Sequence, residues 1–342
     1  MEISAHDALF RFTFGQVEHA EPLLRSVLPA AVAAELDWRT LRSLPGTRIG
    51  RRLRRHQSDQ LFVIDSRTGP VLIYTLIEHS SRVDRWMALR IADYSIGWWR
   101  QLVREDPALR QLPPIVSIVI HHGRQPWTAR TDLGELLVTG WPGVTSATEL
   151  PVPRFAHVVY SLHDLDPAAI DGLGLSVLGR VTLAFLQFIP GASLDQARTV
   201  FRRFGRLLCE MLRTPSGGEA MVALSEYVLL TTRLEPDTLV RVVADEVNHE
   251  GGEIMESTAQ RLVRQGREEG REEGREEGRE EGREEGRVKG RVELLSRLLE
   301  QRFGPLPEWA VEWLARASVE DLDDSSERLL GAADLRDALG RN

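Results

Sequence analysis

Two carboxylates, Asp59 and Glu78, bracket a pair of apolar runs in the stretch SDQLFVIDSRTGPVLIYTLIEHSS at residues 58–81. A carboxylate at the end of a buried strand is costly to desolvate unless it is paired, hydrogen-bonded or bound to a cation. Two carboxylates on neighbouring strands therefore predict a site for Mg²⁺ or Mn²⁺, which prefer oxygen ligands. Ser80 shares the face of Glu78 by the two-residue alternation of a strand. The alternative is structural, with an exposed Asp59 and a Glu78 that caps or pairs with an Arg.

The sequence around these residues predicts the elements that position them. The apolar runs flank a polar turn at 66–70, which predicts a hairpin with strands near 59–65 and 71–78. Apolar residues at helical spacing predict two helices before the hairpin and one long helix, VDRWMALRIADYSIGWWRQLVRE, after it. The segments PPIVSIVIHHG and RFAHVVYSL predict two further strands. This order of elements indicates an α/β fold.

The second half of the chain is helical and contains a low-complexity repeat. In the repeat, QGREEGREEGREEGREEGREEGRVKGR, each Gly costs about 1 kcal/mol relative to Ala, more than the few tenths contributed by a Glu–Arg pair. We therefore predict that the repeat itself is a marginal solvated helix or a flexible spacer, and the alternative is an oligomerising helical stalk. We predict four segments: a core at 1–170, a helical extension at 171–264, a repeat linker at 265–290 and a C-terminal helical domain at 291–342.

Composition and charge limit the class of protein. The chain has 342 residues, 42% of them apolar, and a net charge of -8, which argues against non-specific coating of nucleic acid. It has one cysteine, Cys209, and no signal-peptide layout or apolar run near the ~20 residues of a membrane helix, so we expect a cytoplasmic, non-membrane protein. A local basic strip predicts contacts with DNA phosphates, and the alternative is a solvated edge strand or loop. The strip consists of Arg48, Arg51, Arg52, Arg54 and Arg55.

Several motifs, taken in order, carry a family resemblance. HDALFRFTF, SDQLFVI…VLIYTLIEHSS, ALRIADY, IVSIVIHHGRQPW and GEIMESTAQRLVRQGREEGREEG together resemble the recombination-promoting nuclease (Rpn) and transposase-like family, a branch of the PD-(D/E)XK nucleases. The C-terminal RLLEQRFGPLP…LARASVEDLDDSSERLL resembles a small helical domain of unknown function that accompanies such proteins. The likeness covers nearly the whole chain, and it implies a restriction-endonuclease-like core in residues 1–170.

The resemblance implies roles for the two carboxylates, Asp59 and Glu78. Asp59 matches the motif aspartate and Glu78 the acidic residue of the Glu-x-Lys/Gln element, which implies Mg²⁺ or Mn²⁺ as cofactor. The third position departs from the family pattern, because Ser80 stands where a Lys or Gln would orient the attacking water. No lysine occurs before Lys289, so only an Arg could replace it, and a guanidinium is a poor proton acceptor. The candidates for that replacement are Arg82, Arg85 and Arg90.

Histidines and charged residues nearby are further candidates. His6 and Asp7 match the N-terminal motif of the family. The structural alternative is that Asp7 caps the first helix. His79 is predicted to be a core histidine rather than a ligand, because a regular strand turns it away from Glu78. The adjacent His121 and His122 must face opposite ways and cannot chelate one ion together. Arg90, with Tyr94 one turn later, is predicted to brace its helix on the sheet.

Three functions from different classes remain open. The first is a metal-dependent DNA endonuclease linked to recombination or mobile elements, with Asp59 and Glu78 holding Mg²⁺. The second is a pseudonuclease that binds DNA or a protein partner without cutting, which Ser80 favours. The third is a transposase of the DDE kind, for which Asp93 is the only nearby third carboxylate and belongs to a predicted helix. DNA is the expected partner, and a homo-oligomer is a further expectation.

Overall fold

A computed structural model describes residues 4–44, 60–78, 83–123, 125–137 and 153–341, with the backbone alone at 74–78, 273 and 281. In this part of the chain a five-stranded sheet lies between helices, which confirms the predicted α/β class. The strands are β1 Leu36–Leu44, β2 Gln60–Ser66, β3 Gly69–Glu78, β4 Ile115–His121 and β5 Val158–Ser161. They follow one another in the sheet in chain order; β1, β2 and β3 pair antiparallel, whereas β3, β4 and β5 pair parallel.

The predicted hairpin is confirmed over the described residues. Strands β2 and β3 meet at the pair Ser66 and Gly69. The backbone of Gly69 has a φ of 130°, a conformation that residues other than glycine rarely adopt. The Ser66 hydroxyl donates a hydrogen bond of 2.8 Å to the Gly69 carbonyl oxygen and closes the turn. The antiparallel register then carries β3 past Thr75, the partner of Gln60, to its last residue, Glu78.

Strand β1 was not predicted from the sequence. Helices α1 Ala5–Phe14 and α2 Val17–Val27 match the two helices expected there, but a one-turn helix, α3 Ala30–Ala33, and then β1 follow them. The register of β1 against β2 shifts between Asp37 and Arg42, and this irregularity interrupts the two-residue alternation by which a strand is recognised.

Each face of the sheet packs against helices. Helix α4 Met87–Glu105 connects β3 to β4 and buries Met87, Ile91 and Trp98 against one face. The opposite face shares a single apolar core with α1, α2 and the helices of the second half of the chain. Those helices are α5 Val177–Phe188, α6 Leu194–Leu212, α7 Gly217–Thr231 and α8 Pro236–Glu246, and short 3-10 helices lie at Leu133–Leu136 and Ile170–Gly172.

The chain divides into two compact units, Met1–Leu262 and Val263–Asn342. Helix α9 spans His249–Phe303 and is followed by α10 Glu308–Arg316, α11 Val319–Leu329 and α12 Leu335–Ala338. The second unit has its own apolar core, which includes Leu295, Leu299 and Leu314. The predicted functional boundaries at 170, 264 and 290 stay predictions.

The repeat is helical, and all of its described side chains between 266 and 287 are exposed. Because glycine recurs at every fourth position and no packed face supports the backbone, we expect residues 266–290 to exchange amide protons rapidly in the isolated protein. Hydrogen exchange measured by mass spectrometry should show peptides of this segment exchanging much faster than peptides of α5 and α6. Protection of the repeat equal to that of α6 would instead indicate a stable stalk.

Candidate active site

The candidate site lies where the central parallel strands end. Glu78 is the last residue of β3, and it is in register with His121, the last residue of β4. The carboxyl ends of parallel strands form the edge of a sheet at which ligands of open α/β folds bind. The backbone therefore places Glu78 at a position suited to a functional carboxylate.

Most of the other predicted site residues lie outside the described part of the chain. These are Asp59, His79 and Ser80, together with Arg82 and the whole basic strip of Arg48, Arg51, Arg52, Arg54 and Arg55. Of Glu78 the structure describes only the backbone. The pairing of the Asp59 and Glu78 carboxylates on one cation stays a prediction, and within the described ranges no group of three His, Cys, Asp or Glu side chains could hold a metal ion.

The two adjacent histidines at the end of β4 face opposite sides of the sheet, as predicted. The ring of His122 lies 4.7 Å from that of His6 on α1. The ring of His121 lies 5.3 Å from Trp127 instead, and His121 Nε2 is 2.8 Å from the carbonyl oxygen of Gln125. The two imidazoles thus belong to different layers and cannot bind the same ion.

His6 is buried and links helix α1, near the start of the first unit, to helix α7, near its end. Its Nδ1 lies 2.9 Å from the hydroxyl of Tyr227 on α7, and burial raises the pKa of that phenol well above its usual range. The phenol is therefore held in its neutral form, which can share a proton with the imidazole. Asp7 does not cap α1 as the structural alternative supposed: Ser4 is the N-cap, and its hydroxyl accepts a 3.2 Å hydrogen bond from the Asp7 backbone N–H.

Arg90 and Tyr94 lie on α4 as expected for residues that brace the helix. Arg90 Nη1 donates to Asp84 Oδ2 at 3.0 Å, and both side chains are largely shielded from solvent. Tyr94 packs at the margin of the apolar cluster between α4 and the sheet. The packing of Tyr94 favours its predicted role of bracing α4 on the sheet, whereas the ion pair of Arg90 joins α4 to the segment just before it.

Comparison with known proteins decides the family. Residues 4–214 match the family model described as "Putative transposase, YhgA-like", well over half of the chain. The chain belongs to this family. The expected family resemblance is thereby confirmed for residues 4–214 of this YhgA-like protein, from α1 through the sheet to the end of α6, whereas the PD-(D/E)XK core and the C-terminal resemblance stay predictions.

Curated relatives of this YhgA-like chain are named as nucleases. Recombination-promoting nuclease RpnA of Escherichia coli K12 is 34% identical over 118 residues, 34% of this chain and 40% of RpnA. RpnD of Escherichia coli O157:H7 is 30% identical over 126 residues, 36% of this chain and 48% of RpnD. A protein named inactive recombination-promoting nuclease-like protein RpnE, from Escherichia coli K12, is 30% identical over 120 residues, 35% of this chain and 40% of RpnE. The matches span less than half of each relative, and no solved structure matches the chain.

One buried histidine of this YhgA-like chain was missed by sequence reasoning. His157 immediately precedes β5, and its backbone N–H donates a 3.0 Å hydrogen bond to the Thr131 carbonyl. Its ring lies 6.2 Å from Trp127, and neither ring nitrogen has a hydrogen-bond partner among the residues that the structure describes. Burial lowers the pKa of His157 to about 4. No local sequence signal distinguishes it, because its burial depends on the segment 125–137 folding over it.

The neutral state of His157 predicts a pH dependence of stability. Above pH 6.5, the ordinary pKa, the imidazole is neutral in both the folded and the unfolded chain. As the pH falls from 6.5 towards 4, the unfolded chain gains a proton that the folded chain does not, so His157 should lower the free energy of unfolding by up to about 3 kcal/mol.

Urea denaturation at pH 7.5 and pH 4.5 tests this expectation. The variant His157→Phe should lose less stability between these pH values than the wild type does. The control His249→Gln alters an exposed histidine and should follow the wild type. Identical pH dependence in His157→Phe and wild type would show that His157 does not resist protonation.

Within the described residues, no helix is both long enough and apolar enough to cross a bilayer.

Proposed function

We propose that this protein is a metal-dependent DNA endonuclease with a PD-(D/E)XK core, in which Asp59 and Glu78 hold Mg²⁺ or Mn²⁺. The observation that carries the proposal is the place of Glu78 at the end of β3, in register with the end of β4. This position belongs to the region matched by the family model, and two curated relatives of the chain are named recombination-promoting nucleases. Those names support a proposed role in recombination, and the family description as a transposase supports a proposed link to mobile elements.

The proposed site divides its work among a few residues. A bound divalent cation would activate water and neutralise charge on the scissile phosphate. Asp59 and Glu78 would supply the anionic oxygens that hold it, and Ser80 would offer a hydroxyl that donates a hydrogen bond to the phosphate but accepts a proton poorly. The strip from Arg48 to Arg55 would bind the DNA backbone, since guanidinium groups match phosphate geometry. We place this activity in the cytoplasm, where an enzyme with a single, unpaired cysteine meets chromosomal DNA.

A pseudonuclease is the second candidate, and Ser80 is the observation that favours it. A short hydroxyl replaces the Lys or Gln of the motif, and one relative at 30% identity is named inactive. In this case the same fold would bind DNA or a protein partner without cutting. A DDE transposase is not favoured, because Asp93 has an exposed side chain on α4, whereas the buried side chains of α4 face the sheet.

Plasmid nicking with the variant Ser80→Gln separates the two candidates. A Gln side chain reaches further than Ser and supplies an amide donor, so this change should raise the rate of Mg²⁺- or Mn²⁺-dependent nicking of supercoiled DNA by about tenfold. The conversion of supercoiled to open-circular plasmid is followed on gels beside the wild type and Thr68→Gln, a control at an exposed position of the same hairpin. If wild type and Ser80→Gln are both inert while both bind DNA, the binding module is the correct function.

A further inference from the structure

The outward face of α4 carries an apolar stripe that nothing in the described part of the chain covers. Leu89, Ile96 and Val103 recur at intervals of seven residues and are exposed to 51%, 36% and 50%. Trp86 is 47% exposed at the start of the same helix, and Leu112, 47% exposed, follows it. Ile96, Val103 and Leu112 line one surface depression, and exposed apolar side chains grouped in this way mark an interaction surface more often than scattered single ones do.

Two opposite charges interrupt the stripe in a symmetric way. Asp93 and Arg100 lie between the apolar residues, at spacings of three and four that keep all five on one side of the helix. Counting from Ile96, Asp93 lies three residues before it and Arg100 four residues after it. Leu89 and Val103 each lie seven residues away. The stripe therefore has nearly the same distances on both sides of Ile96 but opposite charges at the inner positions.

Both charges lack an ionic partner within the described residues. No ion pair of those residues includes Asp93 or Arg100, and both side chains are exposed. By contrast, Arg90 on the same helix is engaged with Asp84. Asp93 and Arg100 are separated by seven residues, about 10 Å along the helix axis, so they do not pair with each other.

We propose that a second copy of this chain docks on the stripe, with the two α4 helices antiparallel about a twofold axis near Ile96. The axis brings Asp93 of one copy level with Arg100 of the other, and the same contact forms twice because a twofold interface is isologous. Leu89 then lies level with Val103 of the other copy, and Ile96 packs against its own equivalent. The order of apolar and charged groups on the stripe is self-complementary. We therefore favour a second copy of this chain over a different protein as the binding partner. The proposal does not depend on nuclease activity.

The test uses charge reversals in the full chain and sedimentation equilibrium. The wild type should associate to twice the 38.5 kDa chain mass. Asp93→Arg alone and Arg100→Asp alone each place like charges opposite one another, so each should weaken dimerisation by about tenfold or more. An equimolar mixture of the two variants should regain wild-type affinity as a one-to-one heterodimer, because every like-charge contact then becomes an opposite-charge contact.

Several outcomes would overturn the proposal. Arg110→Asp makes the same charge change at an exposed position outside the stripe and should dimerise as the wild type does. A wild type that stays monomeric at about 100 μM excludes a dimer of useful affinity. Single variants that dimerise as tightly as the wild type would assign self-association to another surface, such as the repeat helix. Failure of the mixture to associate would show that Asp93 and Arg100 do not meet across a twofold interface.

Discussion

Replacing Glu78 by Gln should reduce metal-dependent nicking of supercoiled DNA by about a thousandfold, because loss of an anionic ligand removes several kcal/mol of transition-state stabilisation. The amide keeps the shape of the side chain but not its charge, so the fold should be unchanged. Initial rates of nicking, measured with Mg²⁺ and with Mn²⁺ over a range of metal concentrations, give the size of the effect.

A matched control separates charge at the site from charge elsewhere on the hairpin. Asp65 lies on β2 beside the turn, at the end of the hairpin remote from Glu78, and pairs with Pro70. Asp65→Asn should therefore cleave at the wild-type rate. If Glu78→Gln nicks DNA as fast as the wild type in both metals, Glu78 is not a ligand of the catalytic cation.

Replacing Phe185 by Ala should lower the free energy of unfolding of the first unit by about 3–5 kcal/mol, since it leaves a cavity in a close-packed core. Phe185 of α5 is fully buried, and its ring meets Phe201 of α6 edge to face at 5.5 Å. Both belong to the core that covers the sheet, so the helices after residue 170 are expected to support the strands that carry the site.

Urea denaturation monitored by circular dichroism measures this effect. Leu230→Ala is the control, because Leu230 on α7 is 63% exposed and its truncation should change stability by less than about 0.5 kcal/mol. Equal stability of Phe185→Ala and wild type would show that the helices of 171–246 contribute little to the core.

Local patterns predicted most elements of this fold but not β1, and contacts between distant residues could not be predicted from them. The hairpin of β2 and β3 followed from two apolar runs around a turn, and helix α4 followed from its 3.6-residue period. In contrast, the 2.7 Å hydrogen bond between Thr13 and Thr182 joins α1 to α5 across 169 residues, and no local period encodes it. The same limit explains why the helical extension could be recognised while its shared core with the sheet could not.

The candidate site shows the same division. A carboxylate at the end of the second apolar run was visible in the sequence, and the structure places Glu78 at the last position of β3. Its register with His121 depends on how β3 pairs with β4, which is set by the crossover through α4 and by packing on both faces. The burial of His157 is equally non-local, since it requires Trp127 to fold against it.

The most direct test of the central claim is Mn²⁺ binding by the wild type, Asp59→Asn and Glu78→Gln, measured by electron paramagnetic resonance of the free ion. Any binding of Mn²⁺ to the Glu-rich repeat would be common to all three proteins and would cancel in the comparison. We predict one site per chain in the wild type that is lost in both variants, because each carboxylate supplies part of the charge that holds the ion. Equal Mn²⁺ binding by the three proteins would contradict a metal site formed by Asp59 and Glu78.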